Sequence, residues 1–149
     1  VRKIYYSSSS LDTIEIGRKI GAKLRAGDVV AISGQLGTGK TVIVKGIAQA
    51  LGIREDITSP TYTFVNSFHG SVDLHHFDMY RINDPEEVEE LGFFEYFSPQ
   101  SICVIEWADK VSGMLPGNEI EIWIEKDLKR DQDHRKIEVI WSRCEDTGI

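Results

Sequence analysis

Only two cysteines, Cys103 and Cys144, occur among the 149 residues. That is too few for the disulfide framework of a small secreted domain. Cys103 lies inside the apolar run SICVIEW and reads as a buried thiol, which suits a reducing cytosol. No apolar run approaches the roughly 18 residues of a membrane span. The first residues, VRKIYYSSSS, have no apolar signal-peptide core. A cytoplasmic protein with no membrane contact is therefore expected. Basic charge is also in short supply: 17 Lys and Arg stand against 24 Asp and Glu, for a net charge of −7. A domain that grips nucleic acid by itself presents a basic face. Here the basic residues are scattered and DPEEVEEL is strongly acidic. Any contact with nucleic acid is expected to be indirect, and the acidic surface suits a protein partner with basic patches. No internal repeat is visible, and no low-complexity tract beyond Ser7 to Ser10. What remains is an ordinary globular composition and a length that suits one domain, residues 1–149.

The hydrophobic pattern alternates between strands and helices. KIYY reads as a first strand. Asp12 followed by Glu15 resembles a capping box, and Ile16, Ile20 and Leu24 recur every four residues, so a helix is expected from about 12 to 25. VVAIS is β-branched and reads as a buried strand. Val42, Ile43, Ile47, Ala48 and Leu51 form a helical stripe ending near Gly52. ITSPTYTFVNSF and SVDLHHFDMY read as a turn and two antiparallel strands around Gly70. Asp84 and Pro85 suit the N-cap and first position of a short helix that Gly92 stops. SICVIEW, EIEIWIEKD and RKIEVIW read as three more strands, the last two antiparallel and joined by LKRDQDH. Helices interspersed with strands predict an α/β fold, a mixed β-sheet flanked by helices in a single domain.

Chemistry concentrates in GQLGTGKT, residues 34–41, which fits the pattern G-x-x-x-x-G-K-[ST]. Glycines let the backbone curl so that successive N–H groups point at phosphate oxygens. The strand VVAIS precedes the loop and a helix follows it, as a phosphate loop requires. Gly34, Leu36, Gly37, Thr38, Gly39, Lys40 and Thr41 are the candidate nucleotide-binding residues. The amides from Gly37 to Thr41 are expected to cradle the β-phosphate at the helix N-terminus. Lys40 is expected to bridge the β- and γ-phosphates, and the Thr41 hydroxyl to ligate Mg2+.

Such a loop needs an acidic partner for its metal. ICVIE, residues 102–106, is an apolar strand ending in an acid, which makes Glu106 the candidate, bound directly or through water, or orienting the attacking water. In HHFDMYR, His76 and Asp78 alternate onto one strand face. A zinc site with His75 or Asp73 lacks a further spaced ligand pair. Asp78 reads instead as a second acid near the magnesium or the hydrolytic water. Arg81 suits either a phosphate or a salt bridge. In SPT, Thr61 is the candidate γ-phosphate sensor, against the alternative that Pro60 merely sets a turn. Trp107, next to Glu106, either stacks on the nucleotide or packs.

The N-K-x-D and D-x-x-G motifs of a GTPase are missing, and so is the arginine-rich lid of a small kinase, LKRDQDHRK being a faint candidate for one. The segments GQLGTGKT, SPTYTFVN, HFDMYR, EELGFFEY and VIEWAD occur here in the order found in the bacterial TsaE (YjeE) family, which the chain resembles from about Ser9 to Val139. The resemblance implies a P-loop ATPase of tRNA N6-threonylcarbamoyladenosine formation. In that family TsaC makes threonylcarbamoyl-adenylate and TsaD with TsaB transfers the threonylcarbamoyl group. The family protein binds the TsaD–TsaB pair and hydrolyses ATP to reset it between turnovers, meeting tRNA only through that complex. By motif, the resemblance assigns Lys40 as the loop lysine, Thr41 and Glu106 to magnesium, Asp78 as second acid, Thr61 to a switch-like segment and Trp107 to the EW pair. A looser match falls at Arg135 and Lys136, where paired arginines are common. The rival readings are a small-molecule P-loop kinase and a nucleotide-gated binding module without useful turnover.

Overall fold

The computed structural model of the chain describes residues 1–35, 37–58, 60, 64–127, 129–130 and 133–142. Its centre is β2 (Val29–Ser33), whose five residues are all buried. A strand buried on both faces needs cover on both faces, and the rest of the chain supplies it. Seven strands form one sheet in the order β1-β7-β6-β2-β5-β4-β3. β5 (Ser101–Glu106) and β6 (Ile120–Lys126) flank β2 in parallel, and β4 (Asp73–Asp78) runs parallel to β5. β3 (Val65–Phe68) pairs antiparallel with β4. On the other side β7 (Arg135–Ile140) lies antiparallel between β6 and β1 (Arg2–Ser7). The mixed sheet and the antiparallel pairs expected around Gly70 and LKRDQDH are both present.

Period-two alternation assigns each strand residue to a layer. Val30 and Ile32 join Val104 and Ile122 beneath Ile16 and Ile20 of α1 (Ser10–Gly21) and Ile43 and Ile47 of α2 (Lys40–Ala50). Val29, Ala31, Cys103 and Ile105 face the opposite layer, where Phe77, Val88, Phe93 and Val111 cover them. That layer is built from α3 (Glu86–Glu90) and two 3-10 helices, Phe93–Tyr96 and Ala108–Met114. Full burial of each such apolar side chain contributes about 1.5–3 kcal/mol. Burial pushes the Cys103 thiol up to about 12, which keeps it protonated.

α1 differs from the expected span. It begins at Ser10 with Ser9 as its N-cap, the Ser9 hydroxyl accepting from the Asp12 N–H at 3.1 Å. The Asp12 carboxylate returns to the Ser8 N–H and hydroxyl at 3.1 and 2.7 Å. The capping role thus falls to the serine run, three residues before the expected cap. The helix stops at Gly21, where Lys23 and Leu24 donate to Ile20 and Gly21 in i→i+3 turns. Asp28 then holds the Arg25 N–H at 2.7 Å, committing the chain to its turn into β2. α3 begins one residue later than expected: Pro85 takes the cap position in place of Asp84, whose carboxylate still accepts from the Glu86 N–H at 3.0 Å, and Gly92, at φ 81°, follows the end of the helix as expected.

Candidate active site

Parallel strands β2, β5 and β4 all end at one edge of the sheet, and the residues that follow them converge there. The loop after β2 enters α2 through Gly39, at φ 106°, a left-handed conformation that a glycine adopts without penalty. A glycine N-cap leaves the start of α2 without a side-chain acceptor for its first-turn amides. A helix start of this kind attracts anions.

Lys40, the first residue of α2, is 5% exposed. Its ammonium donates to the carbonyls of Gly34 and Gln35, both at 2.7 Å, and lies 4.1 Å from the centre of the Trp107 ring. Burial holds the Lys40 ammonium below its ordinary value, and the charges of Glu106, Asp78 and Asp109 oppose that shift. The Thr41 hydroxyl lies 3.1 and 3.0 Å from the two oxygens of Glu106. Glu106 is the last residue of β5 and is 2% exposed. Asp78 ends β4 and is its register partner, so the two carboxylates stand side by side at two strand ends. Asp78 is half-buried and accepts from the Tyr80 N–H at 2.9 Å. Oxygen donors of this kind suit magnesium better than zinc.

His76 belongs to the same strand face as Asp78, and its Nε2 meets Glu106 Oε2 at 2.5 Å. It is fully buried, and among the described residues Nδ1 has no partner. This contact aims the ring inward at the carboxylate, away from the alternative zinc set. His75 instead meets Ser67, and Asp73 meets His69. Trp107 is the one non-glycine among the described residues with positive φ, at 58°. The strain, of order 1–2 kcal/mol, turns the chain sharply away after Glu106. The Trp107 ring packs 5.0 Å from Tyr80 and under the Lys40 ammonium. The ring thus packs on its neighbours while also lining the cleft.

Lys40, Thr41, Asp78, Glu106 and Trp107 line a cleft of about 1150 Å³, together with Phe64, Ile82, Leu91 and Tyr96 on an apolar wall. The sequence offered no sign of this wall, since it draws on four separate stretches of chain. Arg81 lines the cleft, exposed, with no ion pair to another described residue. Gly37, Thr38 and Gly39 lie at the loop as expected. Leu36 and Thr61 fall outside the described residues, while Pro60 lines the cleft. Two residues near the loop carried only weak signals in the sequence. His76 had a signal, its shared parity with Asp78. Arg135, on β7, touches the Thr38 and Gly37 carbonyls, and its signal was the looser basic match at 135–136.

Residues 7–137 match the model of the family described as "Threonylcarbamoyl adenosine biosynthesis protein TsaE". The chain belongs to the TsaE family. Its relatives include the TsaE of Treponema pallidum, 43% identical over 110 residues, with 74% of this chain and 82% of the relative covered. The TsaE of Haemophilus influenzae is 42% identical over 114 residues, covering 75% and 69%. The crystal structure of Bacillus subtilis YdiB superposes with a TM-score of 0.79 at 30% identity, over 93% of this chain and 84% of that one. Membership in the TsaE family places the chain in tRNA threonylcarbamoyladenosine biosynthesis. Among the described residues no helix is long and apolar enough to cross a membrane.

Proposed function

We propose that this TsaE-family chain binds ATP with Mg2+ at the 34–41 loop and hydrolyses it, in the cytoplasm. The hydrolysis acts on a TsaD–TsaB complex so that the complex turns over repeatedly, with tRNA met only through it. The observation that carries the reading is the bond from Thr41 to both Glu106 oxygens beside Asp78, at the start of α2. Magnesium held by Thr41 and Glu106, with Asp78 near, would neutralise phosphate charge. Lys40, already desolvated, would exchange the Gly34 and Gln35 carbonyls for phosphate oxygens. In the reaction water adds to the γ-phosphorus, the bond to the β-bridging oxygen breaks, and ADP leaves with the electron pair. Asp78 would take the water's proton: both acids line the cleft, but Asp78 is half-buried, whereas Glu106 is 2% exposed and engaged by Thr41 and His76. Trp107 would hold the Lys40 ammonium over its ring face, and Thr61 would sense the γ-phosphate.

Phosphoryl transfer also needs cationic stabilisation beyond the loop lysine and magnesium. Arg81 is the candidate, and it is exposed. Completion by a docked partner is therefore expected. The exposed acids Glu86, Glu87, Glu89 and Glu90 of α3, close to the cleft residue Leu91, offer that partner a face. The test is ATP turnover by the purified chain, then with TsaD and TsaB added. Slow turnover alone, a clear rise with both partners and none for Lys40→Ala is the expected result. Fast turnover unchanged by partners would reject partner activation, and normal turnover in Lys40→Ala would reject the loop assignment. A small-molecule kinase would need an acceptor, and the apolar wall of Phe64, Ile82, Leu91 and Tyr96 is where one would sit. ATP consumption that depends on such a compound would favour the kinase reading.

A further inference from the structure

Arg135 is the first residue of β7, paired in register with Ser7 of β1 and Lys126 of β6. Because β6 runs parallel to β2, its far end and the start of β7 lie at the same sheet edge as the phosphate loop. From there the Arg135 guanidinium reaches 97 positions back along the chain. Its Nε donates to the Thr38 carbonyl at 2.9 Å. One Nη donates to the Gly37 carbonyl at 3.4 Å, and the other to the His134 carbonyl at 3.1 Å.

The chemistry of the trans peptide makes these contacts consequential. Within one peptide unit the C=O and the following N–H point in opposite directions. A guanidinium that holds the Gly37 and Thr38 carbonyls outward therefore turns the amides that follow them the other way: the Thr38 N–H meets the Gln35 carbonyl at 3.4 Å, which closes the loop, and the Gly39 N–H is turned inward. Two successive peptide planes of the loop are set by one planar fork, whose geometry a lysine ammonium cannot reproduce. Thr38 is anchored from within as well, its hydroxyl donating to Gln35 at 2.8 Å. We propose that Arg135 is a positioning residue for the phosphate cradle, orienting the Gly39 amide toward the nucleotide's phosphates from outside the loop. The inference rests on the ATP-binding reading above.

The experiment titrates a fluorescent N-methylanthraniloyl ADP into wild type, Arg135→Ala, Arg135→Lys and Lys136→Ala, with the melting temperature of each nucleotide-free protein measured alongside. Lys136 neighbours Arg135 and pairs with Glu125 at 4.0 Å. Expected are a dissociation constant raised tenfold or more in Arg135→Ala, with a near-wild-type melting temperature. Arg135→Lys should be weakened as well, and Lys136→Ala should match wild type. Millimolar guanidinium should restore binding to Arg135→Ala and leave wild type unchanged. Wild-type affinity in Arg135→Ala overturns the proposal. So does a loss of binding that comes with a large fall in melting temperature and no recovery by guanidinium. If Arg135→Ala does not fold, Arg135→Lys decides, and wild-type affinity there is the overturning result. Failure of wild type itself to bind the ADP probe would reject the nucleotide-binding reading instead.

Discussion

Glu106 is buried at 2% exposure yet engages Thr41 with both oxygens and His76 with one. Such a carboxylate is held in place by charge-assisted bonds, each contributing about 1.5–3 kcal/mol. Asp78, one strand away, is more open. The two are expected to separate by substitution. Asp78→Asn should keep nucleotide binding and lower the single-turnover hydrolysis rate by roughly 10²-fold, the scale of a lost general base. Glu106→Gln should weaken the magnesium dependence of binding as well as the rate. Wild-type hydrolysis in either variant would make that carboxylate structural. At this scale the loop lysine, its threonine and both acids were legible, because each sits at a fixed offset from glycine or at the end of an apolar strand. The parity of His76 with Asp78 was legible but its bond to Glu106 was not, because that partner is 30 residues away and only the parallel β4–β5 register brings them together.

α1 and α2 meet through glycines. A Cβ on Gly46 would lie 2.2 Å from the Ile14 carbonyl, and one on Gly17 would lie 2.4 Å from that of Ile43. Backbone atoms cannot yield as a flexible side chain can, so the helices would have to separate. Gly46→Ala is expected to destabilise the protein by about 1–3 kcal/mol, the usual cost of overpacking. Gly113→Ala, with open space around it, is the matched control. Calorimetric melting checks the pair, and equal midpoints would show that the helix contact tolerates a methyl group. Existence and type of most elements were legible from periodicity, and boundaries less so. Ser9 displaced Asp12 as the cap of α1 because a hydroxyl one turn earlier could accept the Asp12 N–H while Asp12 turned back to Ser8.

The two apolar layers lie on opposite faces of the same strands, β2 and β5 contributing to both. Loss of either layer exposes the strands that support the other, so the molecule is expected to unfold as one cooperative unit. Far-ultraviolet circular dichroism and tryptophan fluorescence in a urea series should give coincident midpoints. In a Cys144→Ser background, Cys103 provides a third probe. It is 1% exposed with its thiol pushed up to about 12, so a disulfide reagent at pH 8 should label it only as the chain unfolds. Labelling well below the common midpoint would reveal separate opening of the layer that contains Phe77 and Phe93.

Local chemistry is what the sequence determined by itself. Offsets within GQLGTGKT, the strand-ending acids and the alternation of apolar residues act over a few positions, where chain connectivity already sets the geometry. The α/β class follows from the same periodicities. Sheet order, by contrast, depends on which apolar faces meet, and only tertiary packing decided that β6 would flank β2 opposite β5. The consequence reaches the site. That order carries the β6–β7 turn to the loop's edge and puts the Arg135 guanidinium on the Gly37 and Thr38 carbonyls. Contacts between residues so far apart in the chain arise only once the folded sheet has repaid the entropy of closing the intervening chain.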